Sequence, residues 1–354
     1  MIIYMACNAL EIISGVFLMQ KLKKEDGKGN GMSKKEDAKM SYEEFVARVV
    51  KELRQYLPPT MDDIALKSMS VPLNNNVYRQ GLLLLPKKKG RFDTDGKISK
   101  DLHEFYQGYQ SGISMETVLG MIAQEITSIY EDGIYTSLWN KPYDWVKEHL
   151  LVEVCNMEMN RNRLLQMPHE IRENLALKYL LWINNNGTRH LIRITNAQLI
   201  QWGITKETLR RDAWNNMKKR FPPIVRSMNE MLIEMMTGEI EGMATVDTEE
   251  DILHVITNTD NCYGASYMFD EELMSNTAER FKDDIVIIPS SVHEIIFLPK
   301  RYVADIGEII SMVVEVNYSQ VQPEEMLSNS VYVFDRQTHD ISTYQPKRMI
   351  CAFH

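Results

Sequence analysis

The stretch DIVIIPSSVHEIIFLP, from Asp284 to Pro299, constrains this chain more than any other. Ile285 to Ile288 is a short run of apolar, mostly β-branched residues. Its length and composition predict a buried strand. Pro289 and two serines break the run, and His293 to Leu298 predicts a second strand. Two such runs around a Pro-Ser-Ser break read as a hairpin at the centre of a sheet.

The same stretch gathers the candidate chemistry. A serine nucleophile needs a base within hydrogen-bond reach, and the base needs a carboxylate to orient it. In an extended 290–298, Ser291, His293 and Ile295 share one face, with alternate residues about 6–7 Å apart. Ser290, Val292 and Glu294 share the other, so Glu294 does not orient His293. Ser291 and His293 are therefore the candidate catalytic pair, brought together by a turn at Ser291. The competing structural reading gives the serines to the turn's backbone groups and makes His293 a hydrogen-bonded core residue.

Taken in order, the chain begins with an apolar run, Met1 to Met19, followed by Lys21, Lys23 and Lys24. A secretory signal would carry its charge before the run and a small-residue cleavage site after it. Asn8, Glu11 and Ser14 interrupt the run, which argues against a membrane partner. Lys21 to Lys39 is lysine- and glycine-rich, and residues 1–39 read as a disordered or extended tail. At Ser41, with Glu44 three positions on, a capping box opens a helix whose apolar stripe is Phe45, Val46, Val49, Val50 and Leu53. Pro58 and Pro59 close it.

Strands are expected over Ile64–Leu73 and Val77–Leu85, around an Asn-rich turn. The DTDG run that follows resembles the centre of a calcium loop, but that frame puts Arg91 and Leu102 where carboxylates are required. Helices are expected over 100–109 and 114–130, and a strand over 150–155. Leu175 to Ile183 alternates and then meets Asn-Gly, which favours a strand and hairpin returning through Leu191 to Ile194. A short helix, a turn at Gly203 and a Thr205-capped second helix follow, resembling a helix-turn-helix over 196–220. Arg210, Arg211, Lys218, Lys219 and Arg220 would give its second helix a basic, nucleic-acid-facing side. The competing reading packs Leu209, Ala213 and Met217 inward. A helix over 224–236 leads to an acidic hinge at 237–250. Beyond it come strands at 252–257 and 265–269, a helix at 271–281, the central hairpin, a helix at 302–316 and a last hairpin near 337–339.

Helices and strands mix without a βαβ rhythm, so the fold class is α+β, with largely antiparallel sheets and packed helices in two subdomains. The domains are 40–236 and 251–354. A net charge of -9 weighs against nucleic acid as the main partner. Cys7, Cys155, Cys262 and Cys351 form no CxxC pair, which suits a reducing cytoplasm and small core residues. No phosphate-binding glycine loop and no paired histidines at zinc spacing are present, so no cofactor and no metal is expected.

Four phrases, SYEEFVARVVKEL, ITNAQLIQWGITKETLRRDAWNNM, NCYGASYMF and IVIIPSSVHEIIFLP, together resemble a family of bacterial proteins known as a domain of unknown function. The resemblance spans about 40–335 and carries no catalytic residues. It implies that the Trp-Gly phrase belongs to a larger α+β module. The resulting expectation is a cytoplasmic, non-catalytic binding or interaction protein with a protein partner. The alternatives are a hydrolase-like enzyme at Ser291 and His293 and a DNA-binding regulator through 196–220.

Overall fold

Ser41 opens the first helix, α1 (Tyr42–Glu52), as its sequence requires. Its hydroxyl accepts from the Glu44 amide and the Glu44 carboxylate accepts from the Ser41 amide at 2.7 Å. Such a cap is worth about 1 kcal/mol. Phe45, Val46 and Val49 are buried on one face, against β1 (Ile64–Pro72) and β2 (Tyr78–Pro86). These strands pair antiparallel, and β3 (Ile98–Asp101) completes a three-stranded sheet. The helices α2 (His103–Gln110) and α3 (Met115–Glu131) close a core containing Leu82, Leu84, Val118 and Ile122. The computed structural model describes residues 40–86, 98–131, 141–185, 188–231, 251–289 and 291–344. The tail 1–39, the DTDG run and the hinge 237–250 lie outside them.

A short helix, α4 (Tyr143–Val146), leads into a second sheet, in which β4 (Leu150–Asn156) pairs with β6 (Leu175–Asn185). Between these strands lie α5 (Arg161–Leu164) and the edge strand β5 (His169–Arg172). The alternation read as a strand is one: β6 returns as β7 (Thr188–Arg193) in an antiparallel hairpin. The helix pair is also present, as α6 (Asn196–Trp202), Gly203 at φ 65°, and α7 (Lys206–Arg220) capped by Thr205. Leu209, Ala213 and Met217 are the buried face of α7.

The third sheet has six strands in the order β13-β12-β10-β11-β9-β8. Its members are β8 (Pro223–Ser227), β9 (His254–Asn258), β10 (Ile285–Ile288), β11 (Ile295–Pro299), β12 (Tyr332–Phe334) and β13 (Ile341–Thr343). The central hairpin lies inside it, every residue of β10 and β11 being buried. Helix α8 (Glu271–Phe281) follows β9, and α9 (Ile306–Ser319) packs Ile309, Val313 and Val316 against Val286, Ile296 and Leu298. The opposite face joins Ile287, Ile295 and Phe297 to Leu151, Leu177 and Met217 in one continuous core.

The fold is thus α+β, with antiparallel pairing throughout the described sheets. Three local expectations need correction. Residues 223–227 form β8 rather than the start of a helix, because after two prolines Ile224 and Val225 meet an open strand edge on β9. Residues 264–269 form a 3-10 helix rather than a strand. The second strand of the hairpin begins at Ile295, leaving 291–294 in a turn, so the shared face expected of Ser291 and His293 does not exist. The strand β8, on the N-terminal side of the expected hinge, lies in one sheet with β9 to β13. Among the described residues no helix is long and apolar enough to cross a membrane.

Candidate functional site

The turn between β10 and β11 is tied by its own polar groups. Ser291 is fully buried; its hydroxyl donates to Glu294 Oε1 at 2.9 Å and accepts from the His293 amide at 3.0 Å. The Ser291 amide donates to the Glu294 carbonyl at 3.2 Å. The serine hydroxyl is therefore committed to the turn, and its proton points at Glu294 rather than at the imidazole.

The imidazole faces elsewhere. Nε2 lies 3.6 Å from Glu325 Oε1, and Nδ1 lies 3.3 Å from the Tyr263 amide. The Cys262 side chain is close enough to the ring to act on its charge. His293 thus stands between a carboxylate on one side and the Cys262–Tyr263 peptide on the other. The three side chains are reachable from solvent: Cys262 is half-buried, and the His293 and Glu325 side chains are 28% and 36% exposed.

Local sequence explains why Cys262 arrives there. Asn258 ends β9 fully buried, accepts from the Asp260 and Cys262 amides at 3.0 and 3.2 Å, and donates to the Cys262 carbonyl at 2.7 Å. One amide side chain thereby winds the 258–262 loop around itself. Tyr263 then adopts φ 59°, a left-handed conformation that a bulky residue occupies only when its surroundings impose it. Gly264 lies so close to its neighbours that a Cβ would fall 2.6 Å from Thr257 Cα and 2.8 Å from the His293 carbonyl. That carbonyl also accepts from Thr257 Oγ1 at 3.1 Å. The 3-10 helix Gly264–Phe269 is anchored behind by Ser266 Oγ, which donates to the Val152 carbonyl at 2.9 Å. Cys262 is therefore held against the His293 turn by backbone packing.

Electrostatics distinguish the groups. Burial alone would lower the His293 pKa, but the neighbouring Cys262 and Glu325 side chains carry it up to about 10. The Tyr263 amide at Nδ1 opposes this, since it donates to a nitrogen that must be unprotonated to accept. At 3.3 Å it is a long contact, and the two acidic neighbours outweigh it. Cys155, by contrast, is fully enclosed, and burial pushes its thiol up to about 11. It is a core residue.

Four of the five basic residues singled out on α7 meet acidic or aromatic partners. Arg210 Nε lies 3.1 Å from Glu170, Arg211 Nε 2.9 Å from Asp212, and Lys218 Nζ 2.9 Å from Asp270. Arg220 lies over the Trp182 ring at 4.5 Å, and Lys219 is exposed. Arg210 and Lys218 line an open cleft of about 970 Å³ between β5 and β13, with Trp214 and Phe269 among its walls.

Of the residues singled out in sequence, His293 alone enters the thiol–imidazole–carboxylate row. Cys262 and Glu325 come from segments far from it in the chain. The legible trace of Cys262 was the NCYG phrase itself, a cysteine two residues before a glycine in the loop that follows a buried strand. Nothing marked Glu325. Among the described residues no cluster of three or more His, Cys, Asp or Glu is arranged to hold a metal.

Fold and site together define an α+β protein of antiparallel sheets with a solvent-reachable Cys262–His293–Glu325 row. The chain belongs to the family of unknown function DUF5688, whose pattern matches residues 42–336. No curated protein and no solved structure matches it.

Proposed function

We propose that this protein is a thiol-dependent acyl-transfer enzyme, a hydrolase or transferase, with Cys262 as nucleophile, His293 as base and Glu325 as the orienting carboxylate. The observation that carries the reading is the two-sided environment of the imidazole: Glu325 Oε1 3.6 Å from Nε2, and the Cys262–Tyr263 peptide at Nδ1. A nucleophile beside a base, and the base beside an orienting group, is the arrangement that activates a weak nucleophile. The thiolate is the reactive form of cysteine, and a neighbouring imidazolium favours it.

The roles follow from the geometry. Glu325, 3.6 Å from Nε2, holds that nitrogen protonated and fixes the ring, and Nδ1 exchanges its Tyr263 contact for the thiol proton. The Cys262 sulfur attacks the acyl carbon, forming a carbon–sulfur bond. The bond to the leaving group breaks, and His293 returns its proton to that group. Water then attacks the thioester, giving its proton to His293 as the carbon–sulfur bond breaks, and the thiol is restored. In a transferase an amine or alcohol takes the place of water.

The test uses an activated acyl ester, p-nitrophenyl acetate, with the full chain. A burst of p-nitrophenol with acetyl found on Cys262 by peptide mass spectrometry is expected, absent in Cys262→Ala and strongly slowed in His293→Ala. Acetylation spread over several nucleophiles, unchanged in His293→Ala, would reject the assignment.

A non-catalytic binding role has its own observation in the cleft between β5 and β13, where charges of both signs and two aromatic rings face open space. Such a lining suits a polar, zwitterionic or extended peptide ligand.

A further inference from the structure

The loop that supplies Glu325 is held from a distant part of the chain. The β1–β2 turn, Asn74–Asn76, reaches across to it. Asn75 is 6% exposed and sits at φ 58°, a left-handed position that asparagine tolerates better than most residues. Its Nδ2 donates to the carbonyls of Pro323 and Met326, both at 2.7 Å. Those two carbonyls bracket Glu325. Its Oδ1 accepts from Asn160 Nδ2 at 2.7 Å, and its amide donates to Asn160 Oδ1 at 3.0 Å, so the side chain can point only one way. Beside it Arg79 pairs with Glu324 and, at 2.7 Å, with Asp101. On the far side the Val292 amide donates to the Glu325 carbonyl at 3.1 Å, fastening the same loop to the His293 turn.

We infer that Asn75 is a positioning residue for the Cys262–His293–Glu325 row, and that docking of the β1–β2 turn regulates the site by placing Glu325 against the imidazole. This rests on the thiol reading. Asn75 touches none of the three side chains. It fixes the main chain on both sides of Glu325, and a carboxylate displaced by an ångström loses the ring it orients. Aspartate at this position could not replace it, since a carboxylate has no donor for the two carbonyls.

Asn74, the neighbour in the same turn, provides the control. It donates to Glu153 Oε1 at 2.6 Å and accepts from Lys178 Nζ at 2.7 Å, contacts made on the β4–β6 sheet and away from the Glu325 loop. Removing Asn74 weakens docking without freeing Glu325.

The experiment measures site-resolved alkylation of Cys262 by iodoacetamide against pH, in the full chain, beside the melting temperature. In Asn75→Ala the alkylation rate at neutral pH is expected to fall by about tenfold or more, as the misplaced carboxylate lets the ring drift. Asn74→Ala is expected to melt lower while keeping the wild-type profile. Arg79→Gln, which loosens the same loop through Glu324, is expected to move the profile in the Asn75→Ala direction if that variant folds poorly. Identical profiles in Asn75→Ala, Arg79→Gln and Asn74→Ala would overturn the positioning role while leaving the thiol reading intact. A wild-type alkylation rate unmoved by His293→Ala would overturn both.

Discussion

His293 shows how much one side chain's surroundings decide. In an isolated strand it would be a core histidine; here it meets a thiol and a carboxylate. Its raised pKa has a consequence for stability. The folded value, about 10, lies above the ordinary 6.5, so protonation favours the folded state. That contribution is fully present below pH 6.5 and is lost as pH rises through 10. The stability gap between wild type and His293→Gln, read from urea denaturation at a series of pH values, is therefore expected to shrink across that window. A gap that widens with rising pH would mean that the imidazole is neutral in the native protein. Ser291 illustrates the opposite case. Its position beside His293 in sequence suggested a nucleophile, yet its hydroxyl is spent on Glu294 and the His293 amide. Local spacing cannot reveal where a hydroxyl proton points.

At the level of elements, strand and helix patterns were mostly readable because they are periodic. The β6–β7 hairpin followed from alternation ending in Asn-Gly, and α1 from its capping box. The failures have physical causes. The β8 segment carries an amphipathic-looking run, but its backbone is recruited by the β9 edge, a partner no local pattern encodes. The Gly264–Phe269 segment is apolar because it is enclosed between β4 and β9, and enclosure hides periodicity. The same enclosure makes Gly264 indispensable. Gly264→Ala would push a methyl group into the backbone of Thr257 and the His293 carbonyl. Overpacking of this kind costs about 1–3 kcal/mol. A lower denaturation midpoint is expected, together with slower alkylation of Cys262, because the Cys262 loop and the His293 turn are forced apart. A Gly264→Ala protein as stable as wild type would show that the loop is free to shift.

At the level of the whole molecule, the row is assembled from three distant places: the end of β9, the β10–β11 turn, and the loop after α9 that the β1–β2 turn clasps. The central hairpin was legible because continuous apolar runs must lie inside a sheet. Its partners were not, since a pairing of Cys262 with Glu325 across His293 exists only after three sheets have packed. Coupling of Cys262 to His293 underlies this assembly, and it is read by titrating the His293 imidazole by NMR in wild type and Cys262→Ser. In the wild type His293 is expected to remain protonated up to a pH of about 10, and to titrate distinctly lower once the thiol is gone. A His293 that titrates near the ordinary histidine value in both proteins would contradict it.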